Sequence, residues 1–207
     1  MAAILTRVDR QLKPECWQLP GAYLQLWRGW LPGDEADAGY QQLLQQLTWQ
    51  QPSIRLFGKE HPIPRRQVWM GDANAHYRYS GSLFLPEPWH PLVESWRQRL
   101  SQQLDQPFNS VLLNWYRSGL DHMGWHADNE PELGVEPGIA SLSLGQARRF
   151  DLKHRQLPWQ LQLALGPGDL LLMSGTTQQH WLHRIPKQSR LTAGRLNLTF
   201  RYILPSV

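Results

Sequence analysis

Hydrophobic and polar residues alternate along short segments in the second half of the chain. One such segment is 110–117, Ser-Val-Leu-Leu-Asn-Trp-Tyr-Arg, which is rich in strand-forming residues and ends at Ser118-Gly119. Similar segments recur further along, separated by glycine and proline, at 140–144, 150–153, 160–165, 170–173 and 196–203. This pattern predicts a β core made of short strands.

Helical patterns are confined to the first half. One helix is predicted to begin after Pro32 and to reach about residue 47, and another follows Pro91 and reaches about residue 104. Residues 23–27 alternate as in a strand, and residues 1–20 are expected to form a loosely structured arm. The whole pattern is typical of helices that buttress a β core.

Length and composition indicate one globular domain. The chain has 207 residues, of which 41% are hydrophobic, so it can bury a sizeable core. No apolar run is long enough to cross a membrane, and the charged first ten residues do not fit a secretory signal. The single cysteine, Cys16, excludes an intramolecular disulfide and suits a reducing compartment. We expect a cytoplasmic monomer with a single domain over 21–207.

A candidate metal site lies at His126-Ala127-Asp128. On an extended segment His126 and Asp128 are two residues apart, so they project from the same face. Two imidazoles and one carboxylate can hold a non-haem Fe(II) and leave its opposite face open for a co-substrate and O₂. The pair alone is weak support for a metal, because the chain contains 8 His and 17 Asp+Glu residues.

The third ligand must come from a distant segment, and spacing leaves two histidines open. His180 and His183 lie in Gln-Gln-His-Trp-Leu-His-Arg-Ile-Pro, where a strand would point them to opposite faces. His122 is four residues before His126, as on a zinc-binding helix. Neighbouring glycines disfavour a helix there, and the sequence has no H-E-x-x-H, so helical zinc is disfavoured.

The alternating stretch Arg195–Arg201 places two guanidiniums and an amide on one face of a predicted strand. A half-buried edge strand with a solvated charged face explains this pattern without any ligand. Alternatively, each Arg offers a bidentate fork to one carboxylate of a dicarboxylate. Beside an iron with an open face, such a strand suggests 2-oxoglutarate.

Seven short motifs occur in an order that resembles the AlkB family of Fe(II)/2-oxoglutarate-dependent dioxygenases, which repair alkylated nucleic acid. They are 64–67 (Pro-Arg-Arg-Gln), 77–81 (Tyr-Arg-Tyr-Ser-Gly), 114–116 (Asn-Trp-Tyr), 121–130 (Asp-His-Met-Gly-Trp-His-Ala-Asp-Asn-Glu), 139–143 (Ile-Ala-Ser-Leu-Ser), 180–186 (His-Trp-Leu-His-Arg-Ile-Pro) and 195–201 (Arg-Leu-Asn-Leu-Thr-Phe-Arg). The resemblance covers at least 55–203 and is greatest to the subgroup that acts on duplex DNA.

The resemblance implies an α+β, mainly β fold: a double-stranded β-helix, or jelly roll, over about 108–203, buttressed by N-terminal helices. A nucleotide-recognition lid is implied over about 50–90. The implied iron ligands are His126, Asp128 and His183. The implied 2-oxoglutarate-binding residues are Asn114, Tyr116, Arg195, Asn197 and Arg201.

A base pocket is implied next to the iron. Tyr77 and Tyr79 would stack on the base, and His126 would form the opposite wall. Close relatives carry an acidic residue where this chain has Asn129, and an amide supplies no charge to attract a cationic base. The neighbouring Glu130 can take over that role.

The charge distribution suggests a polyanionic partner, although the net charge is only +4. Basic residues cluster near the proposed site, where they would contact phosphates, although a solvated loop explains each cluster by itself. The predicted contacts are Arg65, Arg148, Arg149 and Lys153, with Phe57 as an aromatic wedge that enters the base stack.

The implied reaction is oxidative demethylation of N1-methyladenine and N3-methylcytosine in DNA, with release of formaldehyde, succinate and CO₂. Two alternatives stay open. The same chemistry can act on methylated RNA, tRNA or protein. The second alternative is a non-catalytic nucleic-acid-binding module whose metal is structural. It is disfavoured, because structural zinc usually takes four protein ligands.

Overall fold

The computed structural model describes residues 13–56, 58–75, 77–79, 82–84 and 86–205. The strands are β1 (Glu15–Leu19), β2 (Ala22–Trp27), β3 (Ser53–Leu56), β4 (Lys59–Pro62), β5 (Arg66–Gly71), β6 (Tyr77–Tyr79), β7 (Ser82–Phe84), β8 (Ser110–Tyr116), β9 (Met123–His126), β10 (Ile139–Gly145), β11 (Arg148–His154), β12 (Gln160–Leu165), β13 (Leu170–Ser174), β14 (Trp181–Ile185) and β15 (Arg195–Arg201). The helices are α1 (Gly33–Gln46), α2 (Pro91–Leu104) and α3 (Thr177–His180).

Two antiparallel sheets enclose the site. The larger has the order β1-β2-β13-β10-β15-β8-β5, and the smaller has the order β12-β11-β14-β9. Apolar residues of both sheets, such as Leu171 and Met173 from β13 and Phe150 and Leu152 from β11, share one cluster, so the sheets pack face to face. The predicted mainly β jelly-roll fold is confirmed.

Strand β15 explains why the sheets can hold polar chemistry between them. It lies between β10 and β8, and all seven of its residues are buried. Leu196, Leu198 and Phe200 belong to the cluster that also contains residues of α1 and α2. The intervening polar residues therefore face the space between the sheets. The interpretation of this stretch as a solvated edge strand is wrong.

Helices α1 and α2 cover the outer face of the larger sheet, close to the bounds that the sequence predicts. Leu43 of α1 and Trp96 and Leu100 of α2 are fully buried in the same cluster. The helices approach closely at Gly39, where a Cβ would lie 2.5 Å from the Trp96 ring. Each buried leucine contributes about 1.5 to 3 kcal/mol relative to an exposed one.

The N-terminal arm is more ordered than predicted. β1 lies within 1–20 and pairs along its whole length with β2, so the expectation of a loose arm is wrong for Glu15–Leu19. Residues 1–12 lie outside the described residues. The predicted lid segment, 50–90, contains two hairpins, β3-β4 and β6-β7, but it also contains β5, an edge strand of the larger sheet. Among the described helices, none is long and apolar enough to cross a membrane.

Candidate metal and co-substrate site

The smaller sheet brings the proposed metal ligands together. His126 at the end of β9 lies opposite His183 on β14 in the strand register. One ligand atom from each of His126, Asp128 and His183 lies within 4.8 Å of the others. Asp128 and His183 are buried and His126 is half-buried. This spacing fits three ligands on one side of a single ion.

Asp128 lies just beyond β9, because that strand ends at His126 and not at residue 128 as the sequence suggested. Two contacts hold it in place. Its backbone N–H donates to Gln178 Oε1 at 3.0 Å, and its Oδ1 accepts from Arg201 Nη2 at 2.9 Å. The pair with Arg201 is almost fully buried, so removal of either partner would leave an uncompensated charge.

The protonation states of the three groups suit a metal. Burial lowers the pKa of His183 to about 3 and also lowers the pKa of His126. Burial alone would raise the pKa of the Asp128 carboxyl, but the charge of Arg201, followed by the neighbouring histidines as they protonate in acid, outweighs that effect and lowers it to about 2. At neutral pH the site therefore offers two neutral imidazoles and one carboxylate.

Hydrogen bonding and packing orient the two rings. His126 Nδ1 lies 2.9 Å from Gly124 O and donates to it, which leaves Nε2 as the ligand atom. The His183 ring stacks against Phe150 at 5.3 Å. His180, the alternative third ligand, is exposed at the end of α3, where its ring stacks on His154. His122 contacts Leu120 O and is outside the ligand group.

An inner cavity opens between the sheets beside these ligands. Four of the five residues expected to bind 2-oxoglutarate line it: Asn114, Tyr116, Asn197 and Arg201. Its other polar walls come from Ser141 and Thr199, and its apolar walls include Phe150, Met173 and Ile185. The cavity is thus a buried polar space that is closed by both sheets.

The polar side chains of the inner cavity are held within the protein. Asn114 Oδ1 accepts from Arg65 Nε at 2.9 Å. Asn197 Nδ2 donates to Ser141 Oγ at 2.8 Å and to Leu142 O at 3.1 Å. The Asn197 amide therefore fixes β15 to β10 and also forms a wall.

Arg195 is the fifth expected residue, and its partners are incomplete. It is 1% exposed, its Nη2 donates to Ser143 Oγ at 2.8 Å, and its Nε and Nη1 have no hydrogen-bond partner among the described residues. Its guanidinium lies over the Tyr116 ring at 5.6 Å. Burial, together with the charge of Arg148, lowers the pKa of Arg195 to about 10, so it stays charged at neutral pH. A buried cation with unused donors fits a carboxylate ligand.

An outer cavity meets the inner one at the ligands. Both are lined by Leu112, Met123, His126, Asp128 and Arg201. The outer cavity adds Trp69 and Gln67 from β5, with Arg65 and Glu130. A molecule in each cavity would therefore approach the metal position from its own side.

The predicted base-pocket residues differ in their placement. Glu130 lines the outer cavity, whereas Asn129 is exposed and does not line it. The backbone of Tyr77 and Tyr79 lies in β6, but their side chains are outside the description, and Phe57 is outside the described residues. Their predicted roles stay predictions.

Two of the four predicted phosphate contacts do not lie on the surface. Arg148 is 1% exposed, and its guanidinium donates to the carbonyls of Ser118, Asp121 and Pro186 at 2.9 to 3.0 Å. It joins the loops before β9 and after β14, so its expected contact with nucleic acid is wrong. Arg65 is 7% exposed and forms a cavity wall, which does not fit an outer phosphate contact either. Arg149 and Lys153 are half-exposed on β11.

Three buried residues that hold the site residues in place, Gln178, Ser143 and Ser141, were not predicted from the sequence. Gln178 is 1% exposed and holds the Asp128 backbone, but nothing in its local sequence marks that contact. Ser143 holds Arg195, and Ser141 holds Asn197. These two serines alternate with leucine in β10, so the pattern that identified the polar face of β15 also marks them.

Comparison with known proteins agrees with this geometry. Residues 23–201 match the 2OG-Fe(II) oxygenase superfamily. The chain is 40% identical over 183 residues to the mouse DNA oxidative demethylase ALKBH2, covering 83% of this chain and 77% of that protein. It is 36% identical over 190 residues to the human alpha-ketoglutarate-dependent dioxygenase alkB homolog 3, covering 87% of this chain and 66% of that protein. A solved structure titled "The structure of OsALKBH1" has the same fold, with a TM-score of 0.61 at 20% identity, covering 91% of this chain and all of that one.

The chain therefore belongs to the 2OG-Fe(II) oxygenase superfamily and, within it, to the AlkB family. The residues fit the cofactors of that superfamily. Two imidazoles and a carboxylate suit Fe(II), and the unused donors of Arg195 in a buried cationic environment suit a carboxylate of 2-oxoglutarate. The predicted use of Fe(II), 2-oxoglutarate and O₂ is confirmed.

Proposed function

We propose that this protein is an Fe(II)- and 2-oxoglutarate-dependent demethylase that restores N-alkylated bases in DNA, with N1-methyladenine and N3-methylcytosine as substrates. The observation that carries the proposal is the meeting of two cavities at His126 and Asp128. The inner one has a buried cation, Arg201, in its wall, and a second buried cation, Arg195, lies over its Tyr116 wall, so the pair suits a dicarboxylate. The outer one has a carboxylate, Glu130, and apolar walls that suit a cationic base.

The inner cavity positions the co-substrate. Arg195 binds one carboxylate through the donors that no described residue uses, and Ser143 fixes the direction of its guanidinium. Arg201 keeps Asp128 ionised and in place, and Tyr116 lies under the Arg195 charge. Because these groups are held before any ligand enters, binding needs little rearrangement.

The outer cavity positions the base. Glu130 attracts the positive charge of a methylated adenine or cytosine, and His126 and Trp69 contribute walls of the space that the base enters. The weakened pairing of such a base lowers the cost of flipping it from a duplex. When bound, Fe(II) with 2-oxoglutarate and O₂ supplies the oxidation that releases the methyl group as formaldehyde, along with succinate and CO₂.

Reconstitution tests the proposal directly. The protein is loaded anaerobically with Fe(II) and 2-oxoglutarate, and O₂ and an oligonucleotide with one N1-methyladenine are added. We expect equal amounts of formaldehyde and succinate from the wild type and none from Asp128→Ala. His180→Ala is the matched control, because this exposed histidine lies outside the ligand group and its loss should leave turnover intact. Succinate formed equally with and without the methylated base would contradict the proposed substrate.

The type of nucleic acid needs a separate comparison of single-stranded DNA, duplex DNA and RNA. The AlkB resemblance assigns Phe57 a wedge role on duplexes, so Phe57→Ala is expected to reduce turnover on duplex DNA and to spare single strands. Equal loss on both substrates would contradict that role. We also propose a cytoplasmic monomer: one chain supplies all described walls of both cavities, and a single cysteine suits a reducing compartment.

A further inference from the structure

A tryptophan on the outside of the smaller sheet is flanked by two cations. Lys153 Nζ lies 4.6 Å from the centre of the Trp125 ring, and Arg184 Cζ lies 4.4 Å from it. The three residues come from different strands, β11, β14 and β9, and all are half-buried. These distances are well within the range of a cation–π contact.

A buried carboxylate extends this group along β11. Asp151 has only 4% of its side chain exposed, and it pairs with Arg149 at 2.8 Å and with Arg184 at 2.9 Å. The guanidinium side chains remain 42% and 34% exposed. We call Trp125, Arg149, Asp151, Lys153 and Arg184 the cationic platform. The platform contains three cations and one carboxylate, of which only Arg149 and Arg184 pair with Asp151, so it has a formal excess of two positive charges.

The platform lies directly behind the metal ligands. In the register of β11 and β14, Asp151 pairs with Arg184 and Leu152 pairs with His183. Neighbouring residues of a strand point to opposite faces, so Arg184 is outside where His183 is inside. Trp125 likewise precedes His126 on β9. A ligand on the platform would therefore contact β9 and β14, the strands that carry His126 and His183.

A second contact between a cation and a tryptophan, Arg99 with Trp30, differs from the platform in its charge balance. Arg99 lies over the Trp30 ring at 4.8 Å and pairs with Glu35 at 2.6 Å. That group has one cation for one carboxylate, so packing and charge balance explain it. The platform has more cations than its single carboxylate neutralises. Their alignment by Trp125 and Asp151 keeps half-exposed donors in fixed positions, which lowers the entropy lost when they bind an anion.

We propose that the cationic platform binds backbone phosphates of the nucleic acid whose base enters the outer cavity, and that Trp125 is a positioning residue for Lys153 and Arg184. The proposal rests on the proposed function for the identity of the polyanion. A nucleic-acid backbone presents a row of phosphates, and Lys and Arg contacts to it fix the protein on the strand without reading sequence.

The test measures binding of an unmodified DNA duplex by fluorescence anisotropy over a series of salt concentrations. Arg184→Gln should weaken binding and reduce the slope of log K against log [salt] by about 1, since one phosphate contact is lost. Trp125→Leu should weaken binding about threefold at low salt, because both cations lose their support, whereas Trp125→Phe should bind nearly as well as wild type. Arg99→Gln is the matched control and should change neither affinity nor slope.

Two results would overturn the proposal. One is an Arg184→Gln effect no larger than that of Arg99→Gln, and the other is equal binding by Trp125→Leu and Trp125→Phe with an unchanged salt slope. Because Trp125 adjoins His126, each Trp125 variant is also tested for Fe(II) binding. If Trp125→Leu does not fold, the Lys153→Gln/Arg184→Gln double variant decides, with an expected slope change of about 2.

The assay uses unmodified DNA and no turnover, so its outcome is independent of the proposed reaction. A wild type that binds DNA through the platform but releases no formaldehyde would overturn the proposed function and leave the platform standing. If the wild type demethylates N1-methyladenine but the platform variants bind DNA like Arg99→Gln, the platform proposal is overturned and the proposed function stands.

Discussion

The inner and outer cavities share the metal ligands but are built in different ways. The inner cavity is lined mostly by residues on the facing surfaces of paired strands, and its polar groups are buried and bonded to one another. The outer cavity combines the edge strand β5 with the segment after β9, where Glu130 lies. Under the proposed function, we therefore expect co-substrate binding to depend on fixed buried charges, and base recognition to depend on fewer and more replaceable contacts.

The largest effect should follow from removal of the buried Arg195 cation, which lies over Tyr116 in the wall of the inner cavity. Arg195→Met keeps an unbranched apolar stem but removes the guanidinium, whose Nε and Nη1 have no partner among the described residues. Loss of one partner of a buried charge pair costs about 2 to 5 kcal/mol, so we expect the KM for 2-oxoglutarate to rise about 30-fold or more. Succinate formation measured against 2-oxoglutarate concentration gives this value.

Two further measurements distinguish a binding role of Arg195 from a structural one. Arg195→Lys retains the charge but lacks the planar fork, so its KM should lie between those of wild type and Arg195→Met. Without 2-oxoglutarate, Arg195 is a buried cation with unused donors, so Arg195→Met should have a Tm equal to or above that of wild type. A large fall in that Tm would show that Arg195 mainly stabilises the fold.

A smaller and more selective effect is expected from the outer cavity. Glu130→Gln removes the negative charge but retains the shape, so kcat/KM for N1-methyladenine should fall about tenfold. The neutral lesion N3-methylthymine should lose much less, and the KM for 2-oxoglutarate should not change. Asn129→Ala is the control, because this exposed side chain does not line the cavity. An equal loss on both lesions would show that the Glu130 charge does not select the base.

The inner cavity is built on paired strands and the outer one partly on a loop, and this difference also explains which features of the site were predictable from the sequence. A high content of strand-forming residues marked β8, and strict alternation marked β15 and its polar face, since burial on one side and chemistry on the other repeat every two residues. Alternation did not reveal that β15 is central, and so it allowed a solvated face. The choice of His183 over His180 needed the family resemblance, because spacing alone does not show that His180 ends a short helix.

Other features depend on contacts between distant segments. Basic character placed Arg148 with Arg149 among the phosphate contacts, although Arg148 alone faces inward to the carbonyls of two loops. Gln178 reaches Asp128 from 50 residues away. Neither contact leaves a periodic pattern, since each depends on how a loop folds back against a strand.

The smallest effect tests whether the two cavities act separately. Ser143 contacts the Arg195 guanidinium with its hydroxyl but does not line either cavity. Ser143→Ala removes one orienting hydrogen bond worth about 1 kcal/mol, so the KM for 2-oxoglutarate should rise about fivefold while kcat stays the same. Ser174→Ala is the control, since the Ser174 hydroxyl bonds to Tyr23 O and this residue lines neither cavity. If Ser143→Ala instead changed the ratio of activities on cationic and neutral lesions, the arrangement of the inner cavity would also control base choice, because the shared walls at His126 and Asp128 would then transmit the shift.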